Sequence, residues 1–136
     1  MAKEKGEIPI SAVIFDRHKI ISKASNLVET KKSHFAHAEI LALCKATKQL
    51  KTNKLNGLNI YVSMEPCIMC SYAISKHHIK NIYFGAYDTK NGSLENGIRI
   101  FNSVNKIFKP NIYGGIGEEV FEKLLKDFFS DLRRIN

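Results

Sequence analysis

LNIYVSMEPCIMCSYAISKHHIKNIYFG, residues 58–85, is the segment from which the architecture of the chain follows. Leu58 to Val62 is a short apolar run typical of a strand, and Asn81 to Gly85 is a second one. The residues between them are predicted to form a helix that has Pro66 in its first turn and continues to about His77. A strand, a helix and a strand in succession indicate a βαβ unit with parallel strands.

The flanking segments extend this unit into a larger α/β fold. Residues 8–15 and 20–21 are apolar runs separated by a polar tetrapeptide, which predicts a β-hairpin. Residues 37–50, HAEILALCKATKQL, are rich in helix formers and carry an apolar stripe. Beyond a turn-rich loop at 86–93 we expect a short helix and another strand up to Tyr113. Apolar residues at helical spacing from Val120 to Leu132 predict an amphipathic closing helix.

Length and composition fit a single domain. The 136 residues are 44% hydrophobic and 25% charged, as in ordinary globular proteins, so we expect one domain spanning residues 1–136. No apolar run approaches the roughly 18 residues that cross a bilayer, and the N-terminus lacks the apolar core of a secretion signal. We therefore expect a cytoplasmic protein with no membrane partner. The three cysteines fit a reducing compartment, and Cys44 is expected to be a buried thiol.

The charge balance points to a polyanionic partner. The chain has 21 Lys and Arg against 13 Asp and Glu, a net charge of +8. A general solubility bias is the alternative explanation. Four lysines at three-residue spacing are compatible with both explanations: Lys45, Lys48, Lys51 and Lys54. Such a series is either a track for phosphates or a solvated helix face.

Two short motifs supply side chains of the kinds that bind zinc. They are H-x-E at residues 37–39 and P-C-x-x-C at residues 66–70. The ligand candidates are His37, Cys67 and Cys70. Structural zinc sites normally have four protein ligands, whereas catalytic sites have three and leave the fourth position for water. We therefore predict one Zn²⁺ per chain, with Glu39 moving protons to and from that water.

The spacing of these residues makes a geometric demand. Cys67 and Cys70 are three apart, so in a first helical turn they share a face, and the positive end of the helix favours their thiolates. His37 and Glu39 are two apart and would diverge in mid-helix. They can converge on one ion only if both lie at or before the first turn of their helix.

A closed structural site would need a fourth protein ligand. Cys44 lies about 10 Å along the helix from His37, at 1.5 Å per residue. His77 and His78 lie about two turns beyond the second cysteine of the motif. His18 and His34 remain open on sequence alone.

Together the motifs form the H-x-E and P-C-x-x-C signature of zinc-dependent nucleobase deaminases. The chain resembles the bacterial tRNA adenosine deaminases over nearly its whole length. The metal motif is shared by the superfamily, whereas Gly92-Ser93-Leu94 and the closing segment with Arg133-Arg134 favour the tRNA branch. The other resembling segments are residues 6–9, 12–14, 25–27, 37–40, 61–70, 83–86 and 124–129.

This resemblance implies a three-layer α/β/α sandwich of the cytidine-deaminase type, with a central mixed sheet of about five strands, in a homodimer. It implies hydrolytic deamination of adenosine to inosine at the anticodon wobble position of a tRNA, by zinc-hydroxide attack on C6 of a flipped-out adenine. Glu39 would be the catalytic residue, and Asn26 would bind the substrate nucleotide. The expected partner is the tRNA anticodon stem-loop, and DNA is not expected.

The chain departs from the family pattern at four places. Five residues precede Gly6, where relatives carry a full helix, and Ser11 replaces a glycine. Ser33-His34-Phe35 replaces the Asp-Pro-Thr of the family, and Ile107-Phe108 occupies the place of its Asn-His. These changes leave the metal ligands intact and put the pocket shape and the RNA contacts in question.

Two alternatives remain at this point. The chain could deaminate a small nucleobase or nucleoside, guanine or cytidine, since these enzymes share the metal motif. It could also be a non-catalytic, zinc-stabilised RNA-binding module, which predicts a fourth protein ligand and RNA binding that survives Glu39→Ala.

Overall fold

The computed structural model describes residues 6–117 together with 119, 123 and 127. In chain order the elements of this part are β1 (Ser11–Phe15), β2 (Ile20–Ser25), α1 (Val28–Lys31), α2 (Ala38–Leu50), β3 (Asn59–Met64), α3 (Ile68–Lys76), β4 (Asn81–Ala86), α4 (Ile100–Ser103) and β5 (Asn111–Tyr113). Within this part, none of the helices has the length and apolar character that a bilayer crossing requires. The apolar residues of the predicted closing helix, Val120 to Leu132, lie outside the described residues.

The strands form one mixed sheet in the order β2-β1-β3-β4-β5. β1 pairs antiparallel with β2 and with β3, which confirms the predicted hairpin. β3 pairs parallel with β4, and β4 parallel with β5, so residues 59–86 form the predicted βαβ unit. The carboxyl ends of β3 and β4 therefore meet at one edge of the sheet, where the chain turns into α3.

The tripeptide Asn-Ile-Tyr occurs once in each parallel strand, and the three copies are aligned across the sheet. Asn59 pairs with Asn81 and Asn81 with Asn111. The Asn81 Nδ2 donates to the Asn59 Oδ1 at 2.7 Å, and the Asn111 Nδ2 donates to the Asn81 Oδ1 at 3.0 Å. Two residues further on, Tyr83 stacks on Tyr113 with ring centroids 5.1 Å apart. These repeated side-chain contacts fix the register of the parallel strands.

The isoleucines of the same tripeptides belong to the core on the opposite face of β3 and β4. Ile60 and Ile82 are fully buried in one cluster with residues of α2 and α3. Ala38, Ala42 and Ala46 form the buried side of α2, and their small side chains let this helix approach the sheet closely. Burial of each large apolar side chain contributes about 1.5–3 kcal/mol. The largest fully buried ones include Phe84, Ile14, Leu43, Leu55, Ile60, Ile74, Ile79 and Ile82.

The prediction that Cys44 is buried is wrong, because this thiol is exposed. The buried side of α2 includes Ala42, Leu43 and Ala46. Cys44 follows Leu43 by one residue, and a step of one residue turns the chain by about 100° round the helix. Cys44 therefore points away from the core, with Lys45 and Lys48.

The prediction that Pro66 lies in the first turn of its helix is also wrong. α3 begins at Ile68, and Cys67 is its N-cap residue with the extended backbone angles φ −73° and ψ 173°. Pro66 therefore precedes the cap. This position still suits a proline, since it lies outside the helical hydrogen-bond ladder.

The four evenly spaced lysines do not form one helical track. α2 ends at Leu50, and Lys51 takes a left-handed C-cap conformation with φ 54°. Lys45 and Lys48 are exposed on α2, whereas Lys54 lies beyond the helix in the turn before β3.

Candidate active site

The N-termini of α2 and α3 meet at the site. His37 is the N-cap residue of α2 and Cys67 is the N-cap residue of α3. Their carbonyl oxygens accept the first helical hydrogen bonds, from Leu41 N–H at 3.0 Å and Ser71 N–H at 2.9 Å. Neither side chain caps its own helix, so both are available to the site. The geometric demand on His37 and Glu39 is met, because Glu39 lies in the first turn of α2.

The three predicted ligand atoms are close enough to share one ion. The His37 Nδ1 lies 3.4 Å from the Cys70 Sγ and 3.8 Å from the Cys67 Sγ, and the three ligand atoms all lie within 4.8 Å of one another. Zinc binds nitrogen at about 2.0–2.1 Å and sulfur at about 2.3 Å in tetrahedral sites, which places nitrogen and sulfur ligands about 3.6 Å apart. The residues therefore fit Zn²⁺ in both chemistry and spacing.

The other histidines and the third cysteine of the described part lie elsewhere. His18, His34 and Cys44 are exposed. The His77 Nδ1 hydrogen-bonds the Ala73 carbonyl at 2.7 Å, and the His78 Nε2 lies 3.3 Å from the Lys54 Nζ. Within residues 6–117 the potential metal ligands at this site are thus three, the number typical of a catalytic centre.

Glu39 is a buried carboxyl group beside these ligands, with 4% of its surface exposed. Its side chain hydrogen-bonds the Cys70 thiol. Burial raises the pKa of Glu39 above its ordinary value, and the negative charge of Cys67 adds to this effect. A raised pKa makes the carboxylate a stronger base, which suits a group that accepts and then returns a proton in acid–base catalysis.

The pKa values of Cys67 and Cys70 shift in opposite directions. A hydrogen bond from Cys70 lowers the pKa of Cys67 to about 4, against the effect of burial and with help from His37. The hydrogen bond to Cys67, burial and the Glu39 charge raise the pKa of Cys70. The hydrogen bond to Cys67 also raises the pKa of His37, opposed by burial. One thiolate therefore forms readily, and the second proton leaves when a cation arrives.

Asn26 lies at the end of β2 and is buried, with 6% of its surface exposed. Its Oδ1 accepts from Val28 N–H at 3.3 Å, and its Nδ2 lies 3.5 Å from the Ile8 carbonyl oxygen. An amide nitrogen carries two N–H donors. The long contact to Ile8 occupies at most one of them.

Sequence reasoning missed Glu65, the buried residue directly before the cysteine motif. Its carboxylate accepts hydrogen bonds from the backbone N–H groups of Asp88, Leu94, Glu95 and Asn96 at 2.9–3.1 Å, and from the Asn96 Nδ2 at 2.6 Å. Burial opposes its ionisation, but these donors outweigh burial and lower the Glu65 pKa. Glu65 therefore holds the loop 88–96 against the metal motif. The only sequence signal was a charged residue placed between an apolar strand and Pro66.

Ser93 joins the same loop to α3. Its backbone N–H and its Oγ both lie within 3.1 Å of the Pro66 carbonyl oxygen, and its Oγ also contacts the Ser71 Oγ at 2.8 Å. Gly92 is needed beside it, because an added Cβ would lie 2.5 Å from the Glu65 Cδ. The loop 88–96 thus holds the turn that carries Cys67 at residues before it, Glu65 and Pro66, and at a residue after it, Ser71.

Glu7, which sequence reasoning also missed, caps α1, the short helix before the first motif. Its two carboxylate oxygens accept from the backbone N–H groups of Glu29 at 3.0 Å and Thr30 at 2.6 Å, in the first turn of α1. α1 has no side-chain cap from its own N-cap residue, Leu27. A distant carboxylate therefore supplies the cap and ties the N-terminal segment to the loop that leads to His37.

Comparison with known proteins identifies the family. Residues 1–86 match the family model described as the cytidine and deoxycytidylate deaminase zinc-binding region. The tRNA-specific adenosine deaminase of Rickettsia felis is 41% identical over 135 residues, covering 98% of this chain and 94% of that protein.

Two solved structures share the fold. One comes from a study of A-to-I editing by tRNA:A34 deaminases at the wobble position of transfer RNA; it matches with a TM-score of 0.88 at 35% identity, covering 91% of this chain and 90% of that chain. A guanine deaminase from Nitrosomonas europaea matches in fold, with a TM-score of 0.76 at 21% identity over 89% of this chain and 72% of that chain. The predicted cytidine-deaminase-like fold is confirmed. The chain belongs to the tRNA-specific adenosine deaminases, within the cytidine and deoxycytidylate deaminase family.

Proposed function

We propose that this protein hydrolyses adenosine to inosine at the wobble position of a tRNA anticodon. The family relationship supports the reaction and the substrate. The observation that carries the proposal is the convergence of one imidazole and two thiols within 4.8 Å, with a buried carboxyl group beside them. This set of groups suits a hydrolase that works on a water molecule.

His37, Cys67 and Cys70 are the proposed ligands of one Zn²⁺. The ion, when bound, supplies the Lewis acidity that makes water nucleophilic at neutral pH. Two thiolates balance the charge of the ion, so the water is less acidic than in an all-histidine site and needs a base. Glu39 is the proposed base.

Glu39 then moves two protons in turn. Its carboxylate takes one proton from the water whose oxygen bonds to C6 of adenine and gives it to N1 of the ring. It next takes the second proton from the same oxygen and delivers it to the exocyclic amine. The bond between C6 and that nitrogen breaks, ammonia leaves and inosine remains. A raised pKa suits a carboxyl group that must serve as base and then as acid.

Asn26 is the proposed contact to the substrate nucleotide. Its Oδ1 is engaged by Val28 N–H, which fixes the orientation of the amide. Its Nδ2 keeps donor capacity, since its contact to Ile8 is long. An amide nitrogen held in this way can donate to an acceptor on the nucleotide.

We further propose one domain over residues 1–136, a homodimer, and a cytoplasmic site of action. One sheet and one hydrophobic cluster run through the described residues, which supports a single domain. Phe35 and Ile68 are 71% and 50% exposed and lie close in sequence to His37 and Cys67, so apolar surface is available for a second copy beside the site. The need for free thiols and for tRNA fits the cytoplasm.

Incubation of total tRNA with the zinc-loaded protein, followed by sequencing, tests the proposed reaction. Adenosine read as guanosine at the first anticodon base of a tRNA is the expected result. Parallel assays with free guanine and free cytidine address the small-molecule alternative. Turnover of free guanine or of free cytidine, together with an unchanged tRNA pool, would contradict the proposal.

A further inference from the structure

A second feature lies at the far end of α3 from the cysteines. It is a cavity of about 460 Å³ between the C-terminal end of α3, the turn after α2 and the segment before β5. We call it the α3 groove. Its lining residues are Asn53, Lys54, Tyr72, Ser75, Lys76, His77, His78, Lys106, Ile107 and Phe108.

The chemistry of the α3 groove suits a polyanion. Its lining contains three lysines and two histidines, and none of the described residues that line it is acidic. The three lysines, Lys54, Lys76 and Lys106, are exposed and available to solvent ions. Two aromatic side chains, Tyr72 and Phe108, stand among them. Cationic side chains interleaved with aromatic rings are typical of surfaces that follow a nucleic-acid strand.

Contacts between distant parts of the chain build the groove. The Ser75 Oγ donates to the Phe108 carbonyl oxygen at 2.6 Å, which fastens the segment before β5 to α3. The His78 ring stacks on Phe108 with centroids 4.7 Å apart and planes 20° apart, and its Nε2 lies 3.3 Å from the Lys54 Nζ. His78 and Lys106 have positive φ angles of 60° and 63°, which are unusual for non-glycine residues. These contacts fix the Phe108 and His78 side of the groove, and the contact with His78 positions the Lys54 ammonium group.

The groove lies about one helix length from the metal site. Cys67 and His77 mark the two ends of α3, ten residues or about 15 Å apart at 1.5 Å per residue. A nucleotide at the metal site belongs to a hairpin whose phosphates extend over distances of this order. A free nucleoside would reach no further than the metal site.

We propose that the α3 groove binds the phosphodiester backbone of the tRNA away from the reacting base. This inference rests on the proposed function for the identity of the RNA. Lys54, Lys76 and Lys106 contact phosphates, while Phe108 and His78 form the rigid wall between them. The groove thus contributes affinity for the RNA and takes no part in the chemistry.

The test compares two triple variants that remove equal charge. One is Lys54→Gln with Lys76→Gln and Lys106→Gln. The control is Lys19→Gln with Lys23→Gln and Lys48→Gln, exposed lysines on β2, its preceding turn and α2. The dissociation constant for full-length tRNA is measured at several salt concentrations, and kcat and KM for deamination are measured alongside.

The groove variant should raise KM and the dissociation constant about tenfold or more above the control, with kcat within twofold of wild type. A plot of log affinity against log salt should be less steep for this variant, by roughly 2–3 in slope, since each of the three lost phosphate contacts contributes about 0.7–0.9. The single variant Lys76→Glu, at an exposed helix position, should weaken binding in the same way without affecting folding.

Equal affinity and equal slope in the groove and control variants would overturn the proposal. The proposed function is judged separately, by inosine formation with the wild-type protein. Were no inosine formed, the binding comparison would still decide whether the groove holds RNA.

Discussion

His37 and Cys67 occupy the same position in two different helices: each is the N-cap residue, and the His37 Nδ1 lies 3.8 Å from the Cys67 Sγ. The N-termini of two helices therefore meet at one site, and their dipoles favour a thiolate there. Such a site depends on how the two entering loops are held. Glu65 anchors the segment that enters α3 to the loop 88–96, and Glu7 caps α1, the short helix that precedes the entry into α2.

Replacement of a buried ligand should abolish zinc binding, whereas replacement of the exposed thiol should not. We expect Cys70→Ala to lose stoichiometric zinc, because the change removes one of three protein ligands; the loss of affinity should exceed the roughly 10–100-fold typical of changes outside the ligand shell. Metal analysis after gel filtration measures the zinc content. Cys44→Ala is the matched control and should keep one zinc per chain. Equal zinc content in the two variants would contradict the assignment.

Glu65→Gln should destabilise the protein by about 2–3 kcal/mol. The buried carboxylate accepts five hydrogen bonds from the loop 88–96, and bonds to a charged acceptor contribute about 1.5–3 kcal/mol. A glutamine keeps one acceptor oxygen and turns its NH₂ group toward N–H donors. Denaturant unfolding gives the free energy. Glu95→Gln, an exposed change in the same loop, should cost less than about 0.5 kcal/mol, and a similar loss in both variants would refute this role.

Glu7 should make stability depend on pH in acid. Burial opposes its ionisation, but hydrogen bonds from Thr30 and Glu29 and the charge of Lys32 prevail, so folding lowers the Glu7 pKa from 4.5. The folded protein then binds fewer protons than the unfolded chain between the two pKa values. The stabilisation is complete above the unfolded pKa and is lost as the pH falls through the folded one.

Unfolding free energies of wild type and Glu7→Gln, measured between pH 7 and pH 3, test the direction of this pH dependence. The advantage of wild type should be largest at neutral pH and should shrink toward pH 3. Glu29→Gln, at an exposed position of α1, provides the control. An advantage that stays constant or grows in acid would contradict the account of Glu7.

The sequence was sufficient for the features that depend on local pattern. The hairpin, the βαβ unit and α2 follow from runs of apolar residues and helix formers, and the structure contains all three. The convergence of His37, Cys67 and Cys70 could be predicted because each motif sits where a strand or loop enters a helix. Zinc chemistry then follows from the ligand types.

Features that depend on long-range packing could not be predicted. Whether Cys44 faces the core depends on which side of α2 meets the sheet, and the sheet is assembled from distant segments. The roles of Glu7 and Glu65 depend on backbone N–H groups more than twenty residues away. The repeated Asn-Ile-Tyr tripeptide is visible in the sequence, but its alignment depends on the lengths of the two connections between the strands. The α3 groove likewise joins residues near 54, 76 and 106.

The central claim is that a three-ligand zinc site with Glu39 as its proton carrier deaminates a tRNA adenosine. Single-turnover deamination of an anticodon stem-loop by wild type and Glu39→Gln, each with its zinc content measured, tests this claim most directly. We predict one zinc in both proteins, inosine formation by wild type, and a rate at least 10²–10⁴-fold lower for the variant. A zinc-loaded Glu39→Gln protein that forms inosine at the wild-type rate would contradict it.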